Sequence, residues 1–291
     1  MTIDGATSVH ERLMLAVLAP VAAGGPRRAA KVLLQRGRRA LVGLVGELPD
    51  DEIAKAEKLA HSLSAAGVNV LFCDEPDYPA RLRQAKGAPP VLFYRGAIDL
   101  LSGYAVGICG ARSATEESLK AARACGEDAA SAGISVVSGY AKGVDTESHL
   151  AALRAGGRTV AVLAEGILNF QLKRPYRDLP QKALDRLLVV SQFPPGQSWT
   201  AGAAMTRNQV IVGLGDAVIV VEAGETGGTL RAGETAVSAQ VPLWVLGFRH
   251  ADPPGNRKLL GAGGRRIANR VALSAEMRRL AETPRAQRLF D

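Results

Sequence analysis

Residues 134–163 read ISVVSGYAKGVDTESHLAALRAGGRTVAVL, and this stretch decides the fold. ISVV (134–137) and VAVL (160–163) are short, continuously apolar runs of strand length. Between them lies a helix-length amphipathic segment, 143–156. Unbroken apolar runs mark strands covered on both faces, as in a parallel sheet, and such strands need a helical crossover between them. The stretch is therefore one strand–helix–strand unit.

The same alternation extends in both directions. Further strand-like runs are VNVLF (68–72), VLFY (91–94), AVGIC (105–109), LLVV (187–190), AVIVV (217–221) and LWVL (243–246), with helical segments at 114–132, 202–214 and 228–240. The pattern predicts an α/β protein with a doubly wound, mostly parallel, Rossmann-like sheet. Upstream, residues 8 to about 66 read as three helices, the last beginning in the acidic turn after Pro49 and ending at Gly67. The expected organisation is a small helical N-terminal domain (1–66), a Rossmann-like domain (67–264) and a short basic helical tail (265–291). The Gly/Pro-rich stretch ADPPGNRKLLGAGG is expected to be a loop, and the chain beyond Leu246 is too short for a well-built further domain.

Composition excludes several classes. With 291 residues, 47% hydrophobic and 22% charged, the chain has the make-up of a globular protein. A net charge of +8 suggests a polyanionic partner. Cys73, Cys109 and Cys125 form no C-x-x-C pair, which points to a reducing, cytoplasmic setting rather than a disulfide framework. His10, His61, His149 and His250 show no metal-ligand spacing, so no metal is expected. The opening MTIDGATSVHERLM lacks the profile of a secretory signal, and no apolar run is long enough to span a membrane.

Open parallel sheets bind ligands at the carboxyl ends of their strands, so the segments after each strand are the candidate site. After 105–109 come Gly110, Arg112, Ser113 and Thr115: a glycine for close approach, a cationic fork for phosphate oxygens and helix-capping hydroxyls. After 134–137 come Ser138, Gly139, Lys142 and Gly143, a lysine between two glycines before a helix, which makes a compact phosphate cradle. Asp145 is expected to hold that loop and His149 to pack beneath it. Arg207 and Asn208 lie on the helix after the 187–190 strand, and Gly227, Gly228 and Thr229 open the helix after 217–221. No Walker A loop, G-x-G-x-x-G fingerprint or G-x-S-x-G elbow occurs, so neither a redox cofactor nor a hydrolase triad is expected. These loops suit holding anions rather than breaking bonds.

In content and order, these segments resemble the DNA-processing protein A (DprA/Smf) family. The matching blocks are DEPDYPARL (74–82), PPVLFYRG (89–96), GAR-x-x-T (110–115), SGYAKGVDTESHLAAL (138–153), RTVAVLAEG (158–166), FPPG (193–196), TRNQVIVGLGDAVIVVEA (206–223) and TGGTLRAGETA (226–236). The resemblance implies a dimeric protein that binds single-stranded DNA without strong sequence preference and delivers it to the recombinase RecA during natural transformation. By matching position it places Gly110, Arg112, Ser113, Ser138, Gly139, Lys142, Arg207 and Asn208 in a positively charged pocket, beside the Gly227–Thr229 turn. The chain departs from the family pattern at Gln209, at Gln192 and over ILNFQLKRPYRDL (167–179). Tyr140 and Trp199 are the best-placed aromatics for base stacking, and Arg27–Arg39 and Arg265–Arg279 are basic stretches that would extend a DNA track. Two other readings compete. One is a nucleotide sensor or nucleoside-monophosphate phosphoribohydrolase using ETGGTLRAGE (225–234) with Glu222 or Glu234. The other is an interaction module of the same fold that has lost DNA binding.

Overall fold

The computed structural model describes residues 8–249 and 251–283; His250 and the ends of the first and last expected domains (1–7, 284–291) lie outside the described residues. The chain forms two compact units. One takes residues up to Arg95, with Leu163–Phe170 and Val189–Thr200; the other takes Gly96–Val162, Gln171–Leu188 and the chain from Ala201 on.

The first unit begins with α1 (Val9–Ala22), α2 (Pro26–Val45, kinked at Gly37) and α3 (Asp50–Ala65). It continues through β1 (Asn69–Phe72), α4 (Ala80–Gln84) and β2 (Val91–Arg95). β1 and β2 pair antiparallel, Val70 opposite Phe93, and so belong with the helices rather than with the downstream domain. The expected boundary at 66/67 is corrected on that ground. Charge explains the attachment. The Arg12 guanidinium donates to Glu75 Oε2 (3.0 Å) and to the Val70 carbonyl (2.7 Å), while Arg38 donates to Asp74 (2.8 Å) and Glu75 (3.1 Å). Part of the 27–39 basic stretch is thus engaged in tying α2 to the loop after β1, whereas Arg27, Arg28, Lys31 and Arg36 are exposed.

The second unit carries β3 (Ala105–Cys109), α5 (Glu116–Ser131), β4 (Ser135–Ser138), α6 (Val144–Arg154) and β5 (Thr159–Val162). The short α7 (Arg174–Arg177) and α8 (Gln181–Leu184) lead to β6 (Leu187–Ser191), whose last residues belong to the first unit and pair antiparallel with β2 there. Next come α9 (Ala201–Leu214), β7 (Ala217–Val220), α10 (Gly228–Ser238), β8 (Leu243–Leu246), α11 (Pro254–Gly261), β9 (Arg265–Ile267) and α12 (Arg270–Glu282).

Within the second unit six strands run parallel in the order β5-β4-β3-β7-β8-β9. The chain winds outward from β3 to β5, returns to β7 beside β3, and winds out the other way. The order therefore reverses between β3 and β7, the place where such sheets open a crevice. The apolar runs are continuous because both faces are covered. Ala217, Ile219 and Val221 join a core with Ala122, Cys125 and Met277, while Val218 and Val220 pack with Val212, Leu230 and Leu259.

Two expectations change at the C-terminal side. The stretch read as a loop contains α11, because Pro254 sits in its first turn, where a missing amide costs nothing. The stretch from 265, read as a helical tail, contributes the edge strand β9 and an α12 whose Leu273, Met277 and Leu280 are buried in the core. Two of its arginines are held by acids: Arg265 grips Glu276 through two bonds (2.8 and 2.9 Å), and Arg270 meets Asp128 and Glu127, each at 2.8 Å. Alternation hid these elements, since a three-residue strand has too few positions to show a period.

Candidate nucleic-acid interface

The loop after β4 is organised from below. Asp145, in the first turn of α6, is buried and accepts from the Gly139 amide (3.1 Å) and the Ala141 amide (3.2 Å). Burial raises its pKa, while Arg207 and these hydrogen bonds pull it down. Gly143 turns the chain into α6 at φ +74°, and a Cβ there would lie 2.4 Å from the Ala111 carbonyl oxygen. The Val144 amide donates to that same oxygen (3.3 Å). In this way the loops after β3 and β4 are fastened to each other.

Arg207 reaches this junction from α9. Its guanidinium donates to the Val162 carbonyl (2.6 Å), is 5% exposed, and leaves Nε buried without a partner. Burial lowers its pKa, Asp145 raises it, and Arg112 lowers it further, so the two arginines feel each other's charge. Arg207 is thus a foundation for the loops. The exposed cations are Arg112 and Lys142, and Ser113 is exposed beside Arg112. Among the described residues the Lys142 and Gly143 amides make no backbone hydrogen bond.

Other expected residues are used differently. Ser138 is fully buried and its hydroxyl donates to the Ile108 carbonyl (2.7 Å), so it joins two strands. Gly110 is small because Val144 packs on it: a Cβ would sit 2.4 Å from Val144 Cγ2. Asn208 donates to the Gly228 carbonyl (2.9 Å), holding the start of α10, where Gly227 and Gly228 are exposed and Thr229 is half-buried. Tyr140 is 5% exposed, its hydroxyl accepting from the Lys173 amide (2.9 Å) and its ring 4.9 Å from that of Tyr176, so it is withdrawn from base stacking. The residues responsible lie in the 167–179 stretch that departs from the family pattern. That departure was the visible signal. Lys173 Nζ also lies 4.3 Å from the Tyr140 ring centroid.

The crevice between β3 and β7 is bridged by an acid. Glu222 accepts from the Thr115 amide (3.1 Å) and hydroxyl (3.3 Å), and so satisfies the N-terminus of α5 that an anion would otherwise occupy. Asn256 was not anticipated. Fully buried on α11, it accepts from the Ala223 amide (2.8 Å) and donates to the Val221 (2.9 Å) and Leu246 (3.0 Å) carbonyls, setting the path of the loop after β7.

Fold and loops together define a doubly wound α/β protein that presents exposed cations and free amides at the carboxyl edge of its parallel sheet. A sequence profile of the DNA recombination-mediator protein A family matches residues 69–277, and the chain belongs to that family. It is 36% identical over 160 residues to the DNA processing protein DprA of Streptococcus pneumoniae, covering 55% of this chain and 56% of that one. To the DprA of Bacillus subtilis it is 30% identical over 204 residues, covering 69% and 68%. It is 35% identical over 161 residues to the Smf protein of a Synechocystis species, 54% of this chain and 40% of that protein. The chain thus aligns with about half the length of some of these relatives.

Among solved structures, the S. pneumoniae DNA processing protein A shares the fold at 23% identity, with a TM-score of 0.71 over 94% of this chain and 99% of that one. The Helicobacter pylori protein, whose structural study concerns its single-stranded DNA binding mode, matches at 25% identity with a TM-score of 0.63, over 72% and 95%. No helix among the described residues is long and apolar enough to cross a membrane.

Proposed function

We propose that this protein binds single-stranded DNA by its phosphodiester backbone, at the junction of the loops after β3 and β4. The observation that carries the reading is the pairing of exposed Arg112 and Lys142 with the free amides of Lys142 and Gly143, over a foundation locked by Asp145 and buried Arg207. Ser113 adds a donor at the rim. Ser138, Gly110, Gly139 and Asn208 shape the site without meeting the strand, and the Gly227–Thr229 turn flanks it. Backbone contacts dominate at this junction, because Tyr140 is buried; of the two aromatics expected to stack on bases, only Trp199 is exposed. Family membership supports the same substrate and extends the reading to a homodimer that protects the strand and passes it to RecA.

Fluorescence anisotropy with a labelled oligo-dT across several salt concentrations tests this. Each phosphate contact contributes about 0.7 to the slope of log affinity against log salt on single strands. Arg112→Glu and Lys142→Glu, both at exposed positions, are expected each to weaken binding at least ten-fold and to flatten the slope. Unchanged affinity in both variants overturns the site, and no binding by the parent protein favours an interaction module instead.

A further inference from the structure

In the first unit His10 of α1 comes together with Glu57 and His61 of α3: one ligand atom from each lies within 4.8 Å of the others. The elements that present them are firm. The first turn of α1 is closed by a capping box, Ser8 Oγ accepting from the Glu11 amide (3.2 Å) and Glu11 from the Ser8 amide (2.9 Å). Glu57 and His61 are four residues apart on α3 and so share one face, with Ala56, Ala60 and Leu63 buried alongside.

The atomic arrangement suits a metal ion. His10 Nε2 lies 2.7 Å from Glu57 Oε1, which makes Nε2 the protonated nitrogen and leaves the Nδ1 lone pair free. That Nδ1 faces His61 Nδ1 at 3.3 Å. A tetrahedral centre with metal–nitrogen bonds of about 2.0–2.1 Å holds neighbouring nitrogens about 3.3–3.4 Å apart. The separation therefore already matches the bite of one ion. A carboxylate behind the second nitrogen of a ligating imidazole is the usual means of fixing its tautomer and raising its basicity. Imidazoles bind a metal as neutral ligands, and a neighbouring carboxylate favours a divalent cation there.

We propose that His10 and His61 bind a divalent transition metal of the zinc type through their Nδ1 atoms, with Glu57 orienting His10. Water completes the coordination, and the ion links α1 to α3. The site is independent of the DNA-binding reading.

Calorimetric titration of the full chain with zinc chloride, after treatment with a chelator and its removal, tests the assignment. One-to-one binding is expected, weakened at least ten-fold by His61→Ala and about 10–100-fold by Glu57→Gln. Zinc is expected to raise the thermal midpoint of the parent protein and not that of His61→Ala. His61 is exposed, so the variant's midpoint in chelator should equal the parent's. Absence of binding, or an affinity that His61→Ala leaves unchanged, overturns the proposal.

Discussion

The Arg207 guanidinium rests on the bare backbone of Gly139: a Cβ at position 139 would fall 2.0 Å from Nη1 and 2.3 Å from Cζ. Helix α9 thereby supports the loop that carries Lys142. The contact exists only because residue 139 has no side chain.

Gly139→Ala is the direct probe of this support. Neither atom set has room to yield, since the guanidinium is also bonded to Val162. Overpacking of this sort costs about 1–3 kcal/mol. A urea melt should show that loss, and single-stranded DNA affinity should fall with it as the loop lifts. An unaltered midpoint would mean the guanidinium is not held there.

His149 gives the protein a pH-dependent stability. Thr159 Oγ1 donates to the Val136 carbonyl (3.0 Å) and so accepts from His149 Nδ1, leaving Nε2 as a buried lone pair with no partner. Burial, helped by the charges of Lys173 and Arg207, pushes its pKa down to about 3. Below about pH 6.5 the unfolded chain takes up a proton that the folded chain refuses, so stability falls as pH drops toward 3, by about 2 kcal/mol between pH 6.5 and 5. Urea midpoints of the parent and His149→Gln, compared at several pH values, should differ in slope. Parallel slopes would contradict the assignment.

Asn256→Ala removes three bonds at once from backbone groups that no solvent reaches. Each buried group left unmade costs about 1–3 kcal/mol, so a loss of about 3 kcal/mol or more is expected in chemical denaturation. Hydrogen exchange should quicken at Ala223, whose amide has lost its acceptor.

Met277→Ala tests whether the chain after Gly264 is part of the sheet unit. Its side chain is fully buried among residues of β3, α5 and β7. Truncating such a residue costs about 2–5 kcal/mol. A near-neutral result would restore the reading of a short basic helical tail apart from the Rossmann-like domain.

Much of this was legible from residue order. All eight expected strands occur, most within a residue of their apolar runs, because burial on both faces writes itself as unbroken Val, Ile and Leu. The Asp145 role was legible too, since an acid in the first turn of a helix has nearby amides to accept from. Ser138 and Tyr140 were not. The type of residue advertises a hydroxyl or a ring but says nothing of its direction, and here one points into the sheet and the other under α7.

Local periodicity, glycine placement and motif order suffice for the α/β class, the helix–strand sequence and the family, because each depends on neighbours a few residues apart. Which cations face solvent, why Glu222 closes the β3–β7 crevice and how His10 meets His61 depend on residues 51 to 107 positions away. Those distances close only when strand order and helix packing are set, and the chemistry of the site belongs to that level.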